Sequence, residues 1–213
     1  KLRKFAEGAY DIMIGTQMVA KGLNFPGVTL VGVLSADQAL YGDDFRSYER
    51  AFSLLTQVVG RSGRGELRGQ AIIQTFTPEN PVIRMAAKQD YEAFYDSEIA
   101  LRRVMLYPPF SDICVVGFLG EDEAKTQRAA GLFFERLRSL LQTEYAELPL
   151  RVLGPSAAAV AKVSNKFRYK LILKHRNSAR FREMLSRLLA EAGRDRAFSG
   201  VSVYADVNPE MIL

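Results

Sequence analysis

The hydrophobic pattern of the first third of the chain predicts strands that alternate with a helix. Residues 11–16, 28–37 and 69–76 are short apolar runs rich in β-branched residues and bounded by turn-forming residues, as buried parallel strands usually are. Residues 45–61 instead place apolar side chains at helical spacing. The pattern therefore predicts part of an α/β domain built on a parallel sheet.

The middle of the chain, residues 80–110, reads as two helices with a stop after them. Pro108 and Pro109 in "YPPF" prevent further helix, because proline lacks the backbone N–H and clashes with the preceding turn. We therefore predict an α/β part over 1–79, connecting helices over 80–110 and a second domain over 111–213.

Strand and helix patterns of the second domain follow one another in the order βαββαβ. The strand patterns lie at 112–119, 152–163, 166–174 and 201–207, and the helical patterns at 122–147 and 178–193. This order is typical of a ferredoxin-like sandwich, in which the helices cover one face of an antiparallel sheet. The predicted fold class is α/β for the first part and α+β for the second.

The composition of the chain excludes only a few kinds of functional site. The chain carries 29 Lys and Arg against 24 Asp and Glu, and a net charge of +5 is compatible with an anionic partner but also common in enzymes that never bind nucleic acid. Cys114 is the only cysteine and His175 the only histidine, which excludes an internal disulfide, a cysteine zinc site and a histidine-rich metal site. We therefore predict no bound metal.

The sequence also bears on location. No apolar run approaches the ~18 residues that a membrane-spanning helix needs, and nothing resembles a signal peptide. We expect a cytoplasmic protein with no membrane partner. The chain opens on a strand-like run without an initiator Met, so we also expect it to be a piece of a longer protein.

Gln57, Arg61 and Arg64 recur at helical spacing beside a glycine-rich turn. Each helical residue advances by about 100°, so the three positions fall within roughly 60° of one another. Guanidinium groups are permanently charged and donate paired hydrogen bonds to phosphate oxygens, and Gly60 lets a phosphate approach the backbone closely. The alternative is a solvated arginine cluster that complements the dipole at a helix C-terminus. Spacing alone leaves both interpretations open.

Two further segments carry a family resemblance. "GTQMVAKGLNFPGVTLV" (15–31) and "QVVGRSGR" (57–64) resemble motifs V and VI of superfamily 2 helicases. Together with "SADQALYGDDF", "RRVMLYPPF", "VLGP" and "DVNP", they resemble the PriA family of primosomal replication-restart DNA helicases (primosomal protein N′) over nearly the whole chain. The resemblance implies the C-terminal part of an ATP-dependent 3′-to-5′ DNA helicase, with a partial RecA-like second lobe in front.

The resemblance also implies roles for the residues of motif VI. In such helicases ATP binds between two RecA-like lobes, and Arg64 would be the arginine finger at the γ-phosphate. Arg61 and Gln57 would contact phosphate or couple the nucleotide to DNA. Further ATP-binding candidates are Gly60, Gly22 and Asn24. Asn24 stands where the superfamily often has an acid, and its amide could hydrogen-bond a ribose or water but would carry no negative charge.

Motif V supplies the candidate DNA contacts. Thr16, Gln17 and Lys21 follow the first strand pattern, where hydroxyl, amide and ammonium groups suit DNA phosphates without reading sequence. An ordinary surface lysine is the alternative for Lys21. Asp37 ends the second strand pattern, and could either face the cleft between the lobes or cap the following turn.

Parts needed for hydrolysis are not found in this sequence. The chain has no G-x-x-x-x-G-K-[ST] phosphate loop and no D-E-x-H motif, which hold the phosphates and Mg²⁺. The resemblance places these in the first lobe, so we expect the chain alone not to hydrolyse ATP. It also places paired zinc cysteines upstream of motif V, so zinc would belong to the parent protein.

A basic row is predicted on one strand of the second domain. Period-2 alternation over 166–174 places Lys166, Arg168, Lys170 and Lys174 on one face and apolar residues on the other. The row could bind a phosphate backbone or an acidic peptide, or be a solvated sheet face. The resemblance implies branched and single-stranded DNA and the acidic tail of single-strand-binding protein as partners, with Lys166, Arg168 and Lys170 as contacts.

The resemblance implies a parent protein that recognises stalled replication forks and directs primosome assembly with other primosome proteins. One alternative is a nucleic-acid or protein adaptor that carries a vestigial helicase lobe and does not hydrolyse ATP. Another is an RNA helicase of the same superfamily, which would account for motifs V and VI but not for "YPPF" and the βαββαβ tail.

Overall fold

The computed structural model divides into two compact units, residues 1–100 and 101–213. The residues that the structure describes are 2–16, 25, 27–42, 44–60 and 69–212. The division falls between Ala100 and Leu101, inside a helix, rather than at the proline pair. The units are a mixed α/β unit with a two-stranded parallel sheet and a unit with a four-stranded antiparallel sheet.

The first unit contains a short parallel pair of strands and several helices. Its strands are β1 (Leu30–Val33) and β2 (Gln70–Ile73), and its helices are α1 (Leu2–Ala6), α2 (Asp37–Leu40), α3 (Ser47–Val59), α4 (Pro81–Lys88) and α5 (Tyr91–Met105), the last of which continues into the second unit. Leu30 lies opposite Gln70 and Val33 opposite Ile73, so the predicted parallel pairing of these two runs is confirmed.

The strand predicted over 11–16 is wrong. These residues form no strand, and Ile12 and Ile14 are 78% and 90% exposed. A strand needs a neighbour to accept and donate its backbone hydrogen bonds, and no strand in the described part of the chain pairs with this run.

The core of the first unit forms where α3, α4 and α5 meet. Leu55 of α3 and Ala86 of α4 are almost completely buried, and the Phe52 and Phe94 rings stack with centroids 4.1 Å apart. Helix α4 begins at a cap in which Asn80 Oδ1 accepts a hydrogen bond from Val82 N at 2.9 Å. Amphipathic spacing therefore predicted these helices correctly.

The second unit has the predicted order βαββαβ. Its elements are β3 (Asp112–Gly120), α6 (Glu123–Gln142), β4 (Arg151–Val163), β5 (Lys166–His175), α7 (Ala179–Arg194), a 3₁₀ turn (Arg196–Phe198) and β6 (Val201–Val207). The strands lie side by side as β4-β5-β3-β6, and each neighbouring pair is antiparallel. No helix in the described part of the chain is long and apolar enough to cross a membrane.

Helices α6 and α7 pack on one face of this sheet. The buried cluster takes alternate side chains from β3 and β5 and faces them with aliphatic and aromatic residues of both helices; its members include Cys114, Val116, Phe118, Phe133, Leu137, Leu171, Leu173, Met184 and Leu188. Asp122 and Ser178 cap the helices by accepting hydrogen bonds from Lys125 N at 2.8 Å and Phe181 N at 3.1 Å. The second unit thus carries a core of its own.

The "DVNP" run ends the last strand with a side-chain clamp. Asn208 Oδ1 accepts a hydrogen bond from Ile113 N at 3.0 Å, and Asn208 Nδ2 donates to Asp112 at 2.9 Å. Asp112 also accepts from Asn177 N at 2.9 Å. These hydrogen bonds hold the pKa of Asp112 below its ordinary value. Asn208 therefore fastens the end of β6 to the start of β3.

Candidate functional site

The described part of motif VI lies at the end of α3. Gln57 is half-buried in the last turn, and the helix ends at Val59 with the Gly60 N–H donating to Thr56 O at 3.0 Å. Gln89 Nε2 also donates to Thr56 O, at 3.3 Å, and a Cβ on Gly60 would lie 3.0 Å from that nitrogen. Gly60 has an ordinary helical φ of −69°, so its backbone does not require glycine, and an added Cβ would require the Gln89 side chain to move slightly.

The remaining residues of the predicted nucleotide and DNA sites lie mostly outside the described residues; these are Gln17, Lys21, Gly22, Asn24, Arg61 and Arg64. Thr16 is described and exposed. The predicted convergence of Gln57, Arg61 and Arg64 on one face therefore stays a prediction.

Asp37 joins the two loops that follow the parallel strands. Its Oδ1 accepts hydrogen bonds from the hydroxyls of Thr75 at 2.9 Å and Thr77 at 3.2 Å, and its Oδ2 accepts from Phe76 N at 3.1 Å. Burial acts to raise the pKa of Asp37, but these hydrogen bonds outweigh it and the pKa lies below its ordinary value. These contacts agree with a turn-capping role, and the partner threonines were not recognised from the sequence.

Strand β5 shows the predicted two faces. Leu171 and Leu173 point into the helix-side core, and the lysines at even positions lie on the opposite face, which we call the outer face. Lys170 and Lys174 are nevertheless only 9% and 5% exposed, so these two lysines of the predicted basic row are covered in this structure.

Segments at the two ends of the second unit bury these two lysines. Lys174 Nζ donates to Met105 O at 2.6 Å and lies 3.6 Å from the centroid of the Tyr107 ring. Lys170 Nζ donates to Ile212 O at 3.5 Å. Burial, with the nearby Arg151 charge, lowers the pKa of Lys174. Lys170, which we predicted to contact DNA or a partner, contacts the C-terminal segment in this structure, and its role in binding stays a prediction.

The exposed cations of the row lie at the end of the β4–β5 hairpin. Lys166 is exposed and Arg168 is half-exposed. Lys162 of β4, which we did not predict, is also exposed, and its Nζ lies 4.6 Å from the centroid of the Phe167 ring. We call residues 162–168 the hairpin tip. Lys162 escaped prediction because the small residues before it, "AAAVA", give β4 no alternation of apolar and polar positions.

Charge in the second unit is distributed unevenly. Residues 151–182 contain 9 Lys and Arg and no Asp or Glu, whereas the rest of the chain has 20 Lys and Arg against 24 Asp and Glu. The net positive charge of the chain therefore comes from this one segment. The positive electrostatic potential of such a segment attracts polyanions.

Two arginines of α7 are engaged by carboxylates. Arg180 contacts Glu147 at 3.2 Å and Glu183 at 3.1 Å, and Arg187 contacts Glu144 at 2.6 Å and Glu191 at 2.9 Å. No ion pair joins Lys162, Lys166 or Arg168 to a carboxylate in the described part of the chain. The cations of the hairpin tip are therefore better able to bind a foreign anion than Arg180 and Arg187 are.

Cys114 lies inside the core of the second unit. Cys114 is fully buried, and burial together with the Asp206 charge raises the pKa of its thiol to about 12, so the thiol stays protonated at neutral pH. No group of three or more His, Cys, Asp or Glu residues in the described ranges is arranged to hold a metal ion.

Comparison with known proteins agrees with this two-part organisation. A family model described as "Helicase conserved C-terminal domain" matches residues 1–66, and one described as "Primosomal protein N C-terminal domain" matches residues 103–210. The second match alone covers half of the chain.

Curated relatives extend over both parts. "Replication restart protein PriA" of Bacillus subtilis (strain 168) is 41% identical over 212 residues, which is 100% of this chain and 26% of that protein. The protein of the same name from Chlamydia trachomatis is 42% identical over 98% of this chain and 27% of that protein. The one from Chlamydia pneumoniae is 42% identical over 81% and 22%. This chain spans about a quarter of the length of these relatives. The chain therefore belongs to the family of replication restart protein PriA and corresponds to its C-terminal part.

Proposed function

We propose that the chain is the C-terminal part of an ATP-dependent, 3′-to-5′ DNA helicase that recognises stalled replication forks and directs primosome assembly. The observation that carries this proposal is the order of the two family matches along one chain, with a helicase match over 1–66 followed by a primosomal match over 103–210. The intact "QVVGRSGR" run within the first match supports a working motor rather than a vestigial lobe.

The finer fold assignment belongs to the same proposal. We assign the first unit to a partial RecA-like second lobe, and its parallel β1–β2 pair supports this assignment. We assign the second unit to the ferredoxin-like sandwiches, supported by the βαββαβ order, the antiparallel sheet and two helices packed on one face.

The donor set of motif VI fits a nucleotide phosphate. Gln57, Arg61 and Arg64 offer one amide and two guanidiniums, all of which donate hydrogen bonds. The two guanidiniums also keep their positive charge at neutral pH. Arg64 would stabilise charge on the transferred γ-phosphoryl group, and Arg61 and Gln57 would hold the phosphate or couple it to DNA. ATP with Mg²⁺ would supply the free energy of hydrolysis that drives unwinding.

The remaining assignments follow from the same proposal. Gly22, Asn24 and Gly60 would line the nucleotide, and Thr16, Gln17 and Lys21 would contact DNA phosphates. The partners would be forked and single-stranded DNA, the tail of single-strand-binding protein and other primosome proteins, in the cytoplasm. Zinc would be held upstream of this chain in the parent protein.

DNA-stimulated ATP hydrolysis by the parent protein tests the proposal. Replacing an arginine finger costs roughly 10³- to 10⁵-fold in well-studied NTPases, so Arg64→Ala should abolish measurable stimulation while DNA binding persists. Arg84→Ala is the matched control, because Arg84 is an exposed arginine of α4 in the same unit, and it should leave the rate unchanged.

Two outcomes would contradict the proposal. A parent protein that hydrolyses no ATP, or one whose rate is indifferent to Arg64→Ala, would instead identify a nucleic-acid or protein adaptor. Preferential unwinding of duplex RNA over forked DNA would identify an RNA helicase of the same superfamily.

A further inference from the structure

The hairpin tip projects beyond the third strand of its sheet. Pairing between β3 and β5 ends where Gly120 meets Phe167, whereas β4 and β5 remain paired through Lys162 with Phe167 and Val163 with Lys166. Ser164 and Asn165 close the turn with φ values of 48° and 60°, as a two-residue hairpin turn requires. Beyond Phe167 the tip is therefore a two-stranded finger, whereas Phe167 and Arg168 at its base still pair with β3.

Cations occupy both faces of this finger. Residues directly opposite each other in an antiparallel pair share a face, so Lys162 lies on the face of Phe167, the helix side of the sheet. Lys166 and Arg168 lie on the outer face, because successive residues of β5 alternate. A ligand that meets all three charges must have anionic groups on both sides of the finger.

The dimensions of the finger select among anionic ligands. A strand pair with its side chains is roughly 10 Å thick, which fits a DNA major groove of about 12 Å and not a minor groove of about 6 Å. The one residue pair beyond the end of β3 and the two-residue turn together extend roughly 7 Å, which is comparable to the major-groove depth of about 8.5 Å. The two walls of that groove carry phosphates, so each face of the finger would meet one backbone.

The chemistry of the finger agrees with this geometry. The segment 151–182 contains no carboxylate, and the acidic residues that follow the end of β3 directly are Glu121 and Asp122. Ser164 and Asn165 at the turn carry small polar groups that can hydrogen-bond base edges. Lys162 and Lys166 are exposed. We propose that the hairpin tip inserts into the major groove of duplex DNA, with Lys162 on one phosphate backbone and Lys166 and Arg168 on the other. This inference deepens the proposed function and rests on it only in taking DNA as the ligand.

The salt dependence of DNA binding tests the proposal on the 213-residue chain. The probe is a fluorescein-labelled 20-base-pair duplex, and its dissociation constant is measured by anisotropy between 50 and 200 mM NaCl. Removing three phosphate contacts should reduce the slope of log K against log salt by about 2.7, equivalent to roughly a 40-fold change in the affinity ratio over that range. The variant Lys162→Ala/Lys166→Ala/Arg168→Ala should show this loss.

A matched variant controls for net charge. Arg128→Ala/Arg194→Ala/Arg196→Ala removes three exposed cations outside the hairpin tip, and it should leave the slope unchanged. Lys162→Arg/Lys166→Arg should also keep it, because charge is retained. Circular dichroism of each variant confirms folding. Equal loss in the two triple variants, or no loss in the tip variant, would overturn the proposal.

Groove and ligand class are tested with the same proteins. Bound chain should protect guanine N7 from methylation by dimethyl sulfate, because N7 lies in the major groove. A minor-groove drug such as netropsin should not compete. Displacement by netropsin, tighter binding of the single strand, or binding of an acidic peptide in preference to the duplex would each overturn the proposal. None of these measurements uses ATP, so their failure leaves the Arg64→Ala result standing, and the reverse also holds.

Discussion

The two units of the chain differ in how far they bury the apolar residues of their sheets. In the second unit, Leu173 is fully buried between the sheet and its helices. In the first unit, Leu30, Leu34 and Ile72 on or beside the parallel strands are 57%, 77% and 52% exposed. Parallel sheets are usually covered on both faces. The comparison teaches that the second unit contains the elements that close its own core, whereas the first unit presents apolar surface around its sheet.

The largest effect should come from one substitution made in both units. Leu173→Ala should lower the free energy of unfolding by about 2–5 kcal/mol, because it removes a buried side chain and leaves a cavity. Leu34→Ala should change it by less than about 0.5 kcal/mol, because Leu34 is largely exposed. Urea unfolding with hydrogen exchange at amides of each unit measures both. Comparable losses in the two variants would show that Leu34 is covered in solution.

Glycine substitutions should sharpen the comparison with effects of opposite sign. Gly154 of β4 has φ +97°, and an added Cβ would lie 2.8 Å from Lys170 O, so Gly154→Ala should cost about 1–3 kcal/mol. Gly32 of β1 has nothing within 4 Å of an added Cβ, so Gly32→Ala should stabilise by about 0.4–1 kcal/mol through the unfolded chain. Thermal unfolding compares the pair. Destabilisation by Gly32→Ala would mean that this strand face is occupied.

A smaller effect should appear with acid, and only in the second unit. His175 stacks on Phe181 with ring centroids 3.6 Å apart, and burial lowers its pKa despite the opposing effects of Arg176 and Asp112. The unfolded chain therefore binds the proton more strongly, and His175 should favour folding above its ordinary pKa of 6.5 and lose that contribution as pH falls below it.

Hydrogen exchange at pH 7.5 and 5.5 measures this loss at amides of β5. His175→Phe removes the titrating group, and since His175 is the only histidine in the chain, the variant should flatten the pH dependence across this window. An unchanged pH dependence in His175→Phe would assign the effect to other groups.

The smallest effects should come from surface ion pairs. Arg136 contacts Asp195 and lies 5.4 Å from the Phe198 ring centroid, so Arg136→Ala should cost up to about 1 kcal/mol. Arg3 and Glu7 form a well-exposed pair at 3.4 Å in the first unit, and Arg3→Ala should cost close to nothing. Chemical denaturation at low and high salt separates the two, and a larger cost at Arg3 would reverse the comparison.

Much of the fold was accessible from the sequence because its signals are local. Helical spacing placed α3, α4, α5, α6 and α7, and the "YPPF" stop agrees with the end of α5 at Met105. The candidate site was less accessible. Lys162 reaches the hairpin tip through its pairing with Phe167, which is a property of the register between two strands. The sequence of β4 has no periodicity from which the position of Lys162 could be predicted.

The amino-acid sequence by itself determined the order of the elements in the second unit, the two faces of β5 and the family to which the chain belongs. Periodicity, helix caps and motifs depend on residues that are close together in the sequence, so they can be recognised without knowing the tertiary contacts. Only the tertiary structure decided that 11–16 forms no strand, that Asp37 joins two loops and that Lys170 and Lys174 are buried. Each of these depends on which distant segment covers or pairs with the residue, and a local pattern contains no information about that.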